Sequence, residues 1–171
     1  MRALILVAFL AACGSDPPDI KGLYMTTSHE SAQGACEGGE DLGQMPPYFR
    51  IEEREILGAD YHTRVDCQDT DESSCTGGGG ILVDGTDDGY RGDAYLSSGD
   101  SSGCSLVYSS YDASLDGDQL TYENYNYSET GPIDPCTTDE AEARKDDMPC
   151  TSYEVLVGVR VVESSSARTG S

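Results

Sequence analysis

The chain has 171 residues, with 32 aspartates and glutamates against 10 lysines and arginines, a formal net charge of −22. That balance excludes nucleic acid as a natural partner, since phosphate binding needs clustered cations, and it leaves no basic patch to press the chain onto anionic lipid. The length suits one domain, but two phenylalanines, no tryptophan and few aliphatic side chains promise a thin core, and composition alone leans towards disorder.

The opening Met1-Arg2-Ala3-Leu4-Ile5-Leu6-Val7-Ala8-Phe9-Leu10-Ala11-Ala12-Cys13 is one basic residue, an apolar run, two small residues and a cysteine. The run is about half the length of a membrane-spanning helix and reads as the n-region and h-region of a secretory signal. Leu10-Ala11-Ala12-Cys13 resembles the lipobox of bacterial lipoproteins. The resemblance implies that residues 1–12 are a signal peptide cut before Cys13, that the Cys13 thiol receives a diacylglycerol, and that its new amino group is acylated. In that family an Asp after the cysteine often acts as an inner-membrane retention signal; Gly14 stands there, so the outer membrane of a bacterial envelope is the expected location. Two or more acyl chains make such attachment stable. Residues 13–19, small and proline-rich, then form a tether.

The strand signals begin at residues 20–28, which alternate and are rich in β-formers. Residues 31–47 read as a loop carrying Cys36, with Pro46-Pro47 leading into a strand at 48–52. Tyr61, Thr63, Val65 and Cys67 make one face of a third strand, and 69–80 is an acidic, then glycine-rich loop. A short run at 81–83 is followed by the turn dipeptides Asp84-Gly85 and Asp88-Gly89. Residues 90–96, 105–111 and 119–127 are further strands, the last two joined through the hairpin signal Leu115-Asp116-Gly117-Asp118. Thr137-x-x-Glu140 is a capping box that predicts a short helix near 138–145, with Arg144 and Lys145 at the end where the dipole favours cations. Tyr153, Val155, Val157, Val159 and Val161 form a period-2 face, and the length of this strand argues for a central position. Residues 163–171 are a Ser-rich flexible tail, leaving 20–162 as the folded domain. Seven or eight short strands and one brief helix predict a mainly β fold, an antiparallel barrel or sandwich.

Gly22-Leu23-Tyr24 resembles the first-strand G-x-W signature of the lipocalins, with Tyr24 where that family places tryptophan. The resemblance implies an up-and-down barrel. The stretch from Cys136 to Arg144, with Pro149-Cys150-Thr151-Ser152-Tyr153-Glu154, also resembles the C-terminal end of uncharacterised predicted bacterial lipoproteins, a likeness that carries no activity.

With Cys13 assigned to lipid, six cysteines remain, an even set that in an exported chain reads as a disulfide framework. Proximity favours Cys67 with Cys75 and Cys136 with Cys150, leaving Cys36 with Cys104, although six cysteines allow 15 pairings. A zinc site lacks any C-x-x-C pair, and His29 and His62 have no ligand spacing to the cysteines. Eleven tyrosines supply apolar area with a polar tip, and bridges worth roughly 2.5–4 kcal/mol each matter where domains are stable by about 5–15 kcal/mol.

Chemistry is sparse. His29 and His62 are the only imidazoles, no G-x-S-x-G or H-E-x-x-H is present, and His62 reads as a surface or rim residue. Carboxylates are too abundant for any pair to be informative. The segment 84–89 fails as an EF-hand at Thr86 and Tyr95, leaving Asp84, Asp87 and Asp88 as a looser candidate for a divalent cation beside the plainer reading of a turn. Arg91-Gly92-Asp93 falls inside an expected strand and reads as a chance triplet, and the sequon Asn126-Tyr127-Ser128 is coincidental if the lipobox resemblance holds. Tyr108, Tyr111, Tyr122, Tyr125 and Tyr127 read as a cross-strand packing set. The expectation is a lipid-anchored, non-enzymatic β module for a small ligand, with no cofactor and no catalytic or metal-binding residue. The alternative is a structural or interaction protein of the envelope with an acidic, cation-binding surface; an envelope hydrolase built on His62 and a carboxylate ranks third.

Overall fold

A computed structural model describes residues 16–33, 36, 40–100 and 103–162; Cys13 and the tail from residue 163 lie outside them. The described chain is mainly β, a nearly closed antiparallel barrel with one short helix. Its strands are β1 (Gly22–Gln33), β2 (Glu40–Asp41), β3 (Tyr48–Ile56), β4 (Ala59–Cys67), β5 (Gly79–Leu82), β6 (Asp84–Gly85), β7 (Gly89–Asp100), β8 (Gly103–Asp116), β9 (Gln119–Gly131) and β10 (Cys150–Arg160), with helix α1 (Thr138–Arg144) before the last. The order around the sheet is β5-β4-β3-β1-β10-β9-β8-β7-β6, with β2 as a spur on β1.

Ten strands replace the seven or eight expected. The two extra ones, β2 and β6, are two residues long and so have no periodicity to read. Asp84-Gly85, read as a turn, is β6, and the loop expected from residue 31 is strand through Gln33. The segment holding β5 and β6 closes the circle, pairing with β4 through β5 and with β7 through β6. Val83 N–H donates to the Arg91 carbonyl at 2.9 Å in the crossing. Gly92 permits that contact, since a Cβ there would stand 1.8 Å from the Ile81 carbonyl oxygen. The hairpin expected at 115–118 joins β8 to β9 with Gly117 at φ 61°, a value that glycine adopts at little cost.

The barrel has an apolar base and a polar mouth. Tyr24, Phe49, Ile51, Leu82, Leu120, Tyr122 and Leu156 fill the base. Ile20, fully buried, closes it from the N-terminal segment, where its carbonyl accepts the Tyr24 hydroxyl at 2.7 Å. Arg160 secures this plug, donating to Tyr24 Oη at 2.8 Å and to the Asp19 carbonyl at 2.7 Å while its guanidinium lies 5.3 Å from the Tyr24 ring centroid.

β10 is central, as its length suggested, lying between β1 and β9. Its valine face, however, is the outer one. Leu156 and Gly158 are the buried residues, and Glu154, Leu156 and Gly158 share the inward phase. The narrow base requires this, because a Cβ at position 158 would stand 2.5 Å from the Phe49 ring. β4 behaves alike: His62, Arg64 and Asp66 point inward, while Val65 and Cys67 are buried from outside, where Gly78 packs against the Arg64 and Val65 backbone.

A second apolar cluster lies on the outer face of β7–β9. Cys104, Leu106, Ala141 and Met148 are buried there as α1 packs down. The predicted cap forms, with Thr137 Oγ1 accepting from Glu140 N–H at 3.2 Å. Tyr95, Tyr108 and Tyr127 stack in a row across the three strands, with centroids 5.2 and 5.4 Å apart.

The cysteines form three disulfides: Cys67–Cys75, as proximity suggested, with Cys36–Cys150 and Cys104–Cys136. The other two expected pairs, Cys136–Cys150 and Cys36–Cys104, are therefore corrected. Cys136 leads into α1, which lies over Cys104 on β8, whereas Cys150 begins β10 beside the end of β1 and faces the Cys36 loop. Bridges of this kind belong to an oxidising, non-cytoplasmic compartment.

Candidate functional site

Above the apolar base, five strands direct polar side chains into the barrel, β8 among them with Ser109. β1 supplies His29, β4 supplies Arg64 and Asp66, β9 supplies Asn124 and Asn126, and β10 supplies Ser152 and Glu154. Their shared inward phase follows from the register, which pairs His29 with Leu156 and Ser31 with Glu154 on one side, and Glu154 with Asn124 on the other.

Arg64 is the hub. Its Nη1 donates to Glu154 Oε2 at 2.6 Å, and its Nε stands 3.2 Å from Asp66 Oδ1, an ion-pair contact without hydrogen-bond alignment. The guanidinium carbon lies 4.8 Å from the Tyr122 ring centroid, so the base of the barrel is also the floor of the site. Burial opposes the charge of Arg64, but Glu154 and Asp66 outweigh it and hold its pKa above the ordinary value. His29 Nε2 approaches Glu154 Oε1 at 2.9 Å, and its Nδ1 meets the Met45 carbonyl. Ser109 Oγ donates to Asn126 Oδ1 at 2.7 Å, and Asn126 Nδ2 donates to Ser152 Oγ at 3.2 Å.

Two acceptors stay unmatched. Asn124 Oδ1 and Asp66 Oδ1 are buried and receive no hydrogen bond, a condition that costs about 1–3 kcal/mol per group. Burial pushes the Asp66 carboxyl above its ordinary 3.8, and Glu154 adds to this, while Arg64 and His29 pull it down. The sign follows directly. A carboxyl raised on folding adds stability below its unfolded value and loses it as pH rises through its folded value. Asp66→Asn should therefore be more stable than the parent at pH 7 by a modest margin that vanishes below about pH 3, as thermal melts across that range would show. A melting temperature lowered at pH 7 would contradict this account.

The other candidates lie elsewhere. His62 is buried, not on the rim: its ring packs 4.3 Å from Tyr90, and burial lowers its pKa against the pull of Glu53. The strand face that marked this segment is the outer one, so the alternate residues, His62 among them, turn inward. It is His29 that meets a carboxylate in the barrel. Thr86 caps the turn at 84–89, donating to Asp88 Oδ1 at 2.8 Å, and among the described residues no three His, Cys, Asp or Glu side chains are grouped to hold a metal ion. Asp93 accepts from the Tyr108 hydroxyl within the sheet. Tyr108 and Tyr127 pack across strands as expected, whereas Tyr122 faces inward. Its hydroxyl donates to the Gly79 carbonyl at 3.0 Å, and burial raises its pKa well above 10.

No helix of the described residues is long and apolar enough to cross a membrane. Comparison with protein-family models, curated proteins and solved structures returned no match. The site therefore rests on its own geometry. Sequence reasoning passed over Arg64, Asp66 and Glu154, and the available signal was a charged residue set between the apolar ones, Arg64 and Asp66 along β4 and Glu154 in β10.

Proposed function

We propose that this chain is a lipid-anchored envelope protein, non-enzymatic, whose barrel mouth binds a small polar ligand rich in hydrogen-bond donors. The observation that carries the reading is the pair of unmatched acceptors beside Arg64, at Asp66 and Asn124. Stability alone would favour apolar side chains at such positions, and convergent polar groups on a rigid scaffold are the ordinary make-up of a ligand site. Arg64 Nε and His29 Nε2 also make no hydrogen bond, but each already faces a carboxylate oxygen, Asp66 Oδ1 and Glu154 Oε1. What a guest can add is a donor for the two oxygens, and a small primary amine supplies it. The surplus of acidic residues over the whole surface would raise the local concentration of such a cation. The base is packed with side chains, so the site is the polar mouth and not an apolar calyx.

A panel of small primary amines, with carboxylic acids of matched size as controls, tests this by calorimetry at pH 7. Amines alone should bind saturably, and Asp66→Asn should weaken them at least tenfold without loss of fold. Failure of every amine to bind at millimolar concentration, or binding indifferent to Asp66→Asn, would reject the site. The anchor stands on Cys13 and is tested separately: Cys13→Ser should move the mature chain from the membrane fraction to the soluble one.

The packed base gives some support to a second reading, a structural or interaction module of the envelope. In that case the amines would not bind, and the outer tyrosine row would be the face to examine.

A further inference from the structure

The base of the barrel carries an exposed apolar patch that the ligand reading leaves unused. β3 and β4 continue past the start of β1, whose Gly22 pairs with Ile51, and end in a hairpin tip at Ile56, Leu57 and Gly58. Leu57 is wholly exposed, at 103%, and holds φ at 54°. Ile56, Ile81 and Val83 are about half exposed. With Ala59, Asp60 and Tyr61 these three line a shallow groove of about 240 Å³ on the outside of the barrel. Single exposed leucines are ordinary, but a contiguous apolar set at a projecting tip marks a contact surface.

The N-terminal segment determines what meets it. This segment runs between the hairpin and the seam: Lys21 Nζ pairs with Glu53 Oε2 at 2.8 Å, and Pro17 packs onto Gly85, two residues beyond Val83. The described chain starts at Asp16, three residues after Cys13, and three residues span no more than about 11 Å. If Cys13 carries acyl chains, the lipid surface lies within that distance of Asp16, whose neighbour Pro17 packs on Gly85 at the edge of the patch.

We infer that Leu57, Ile56, Ile81 and Val83 dip into the lipid surface and fix the barrel base-down, with its mouth turned away from the membrane. The inference rests on the anchor proposed above. Its chemistry is apolar and not electrostatic, because Glu53, Glu55, Asp60 and Asp84 surround the tip. Zwitterionic lipid is therefore preferred to anionic lipid.

Because the chain has no tryptophan, one introduced indole reports without background. Leu57→Trp is made in the acylated full chain, with Leu96→Trp as the control, since Leu96 is 63% exposed on β7 towards the mouth. Both are reconstituted with phosphatidylcholine vesicles carrying brominated acyl chains. The indole at position 57 should shift its emission to the blue and be quenched at least twofold more than that at position 96, and anionic lipid should lessen the effect. A chain that floats with the vesicles through Cys13, yet shows equal quenching at the two positions, would overturn the inference and leave the anchor intact. A Cys13→Ser chain that floats with quenching at position 57 would overturn the anchor alone. An indole already shielded without lipid at high protein concentration would assign the patch to contact between copies and overturn the lipid inference.

Discussion

Replacing Arg64 with methionine should cost about 3–5 kcal/mol of stability at pH 7, the price of removing one partner from a buried ion pair. Methionine keeps most of the apolar stem over the Tyr122 ring, so the loss reports the missing charge rather than a cavity. What remains is Glu154 and Asp66 facing each other across the barrel with their common cation gone. Asp66 is already raised by burial and loses its strongest downward pull. Its protonation then relieves the repulsion, so the deficit of Arg64→Met should shrink as pH falls through the carboxylate range. For a chain of this size each kcal/mol is worth roughly 2–4 °C, which places the drop in melting temperature near 6–20 °C. Urea titrations at pH 7 and pH 4 read both effects. A deficit equal at the two values would mean that the ion pair is not what holds the mouth together.

The second large effect belongs to Cys36–Cys150. It closes the longest loop of the three, with a separation of 114 residues against 32 for Cys104–Cys136 and 8 for Cys67–Cys75. In the chain-entropy picture a loop of that length is worth about 4.7 kcal/mol and the shortest about 2.5. Cys36→Ala/Cys150→Ala should therefore lose nearly twice as much as Cys67→Ala/Cys75→Ala in denaturant titrations. Equal losses, or a reversed order, would show that local contacts and not loop closure set the worth of each bridge.

Much of the fold was legible before the structure. Alternation or strand-like composition marked seven of the strands and a short apolar run marked β5, although its Gly79 and Gly80 were expected in the loop. Asp116-Gly117-Asp118 marked the β8–β9 hairpin, and its cap marked α1. β2 and β6 were not legible, since pairing in two-residue strands depends on what the rest of the sheet offers. Cysteine pairing was legible only where the loop was short. Cys136 and Cys150 flank one helix but are drawn to different strands, Cys136 to Cys104 on β8 and Cys150 to Cys36 just beyond β1, and distance along the chain says nothing about that.

The site was the hardest part to read. Its members are drawn from residues 29 to 154, and although Arg64 and Asp66, Asn124 and Asn126, and Ser152 and Glu154 are each two residues apart, nothing local says that these pairs meet. The apolar stripes of β4 and β10 also drew attention to the outward phase, while Arg64, Asp66 and Glu154 occupied the other. In a barrel whose interior is partly polar, alternation identifies a strand without saying which of its sides is the inside.

The split strand at the seam has a consequence for motion. β8 is clasped on both faces, by the barrel core within and by α1 without, whereas β5 and β6 hold their neighbours through a few amides on either side of Val83. Breathing of the cylinder should therefore start as a slit between β4 and β7, beside Tyr122 and the floor of the mouth. A guest would then have a side door, and the rate at which that door unlatches would cap how quickly it comes and goes.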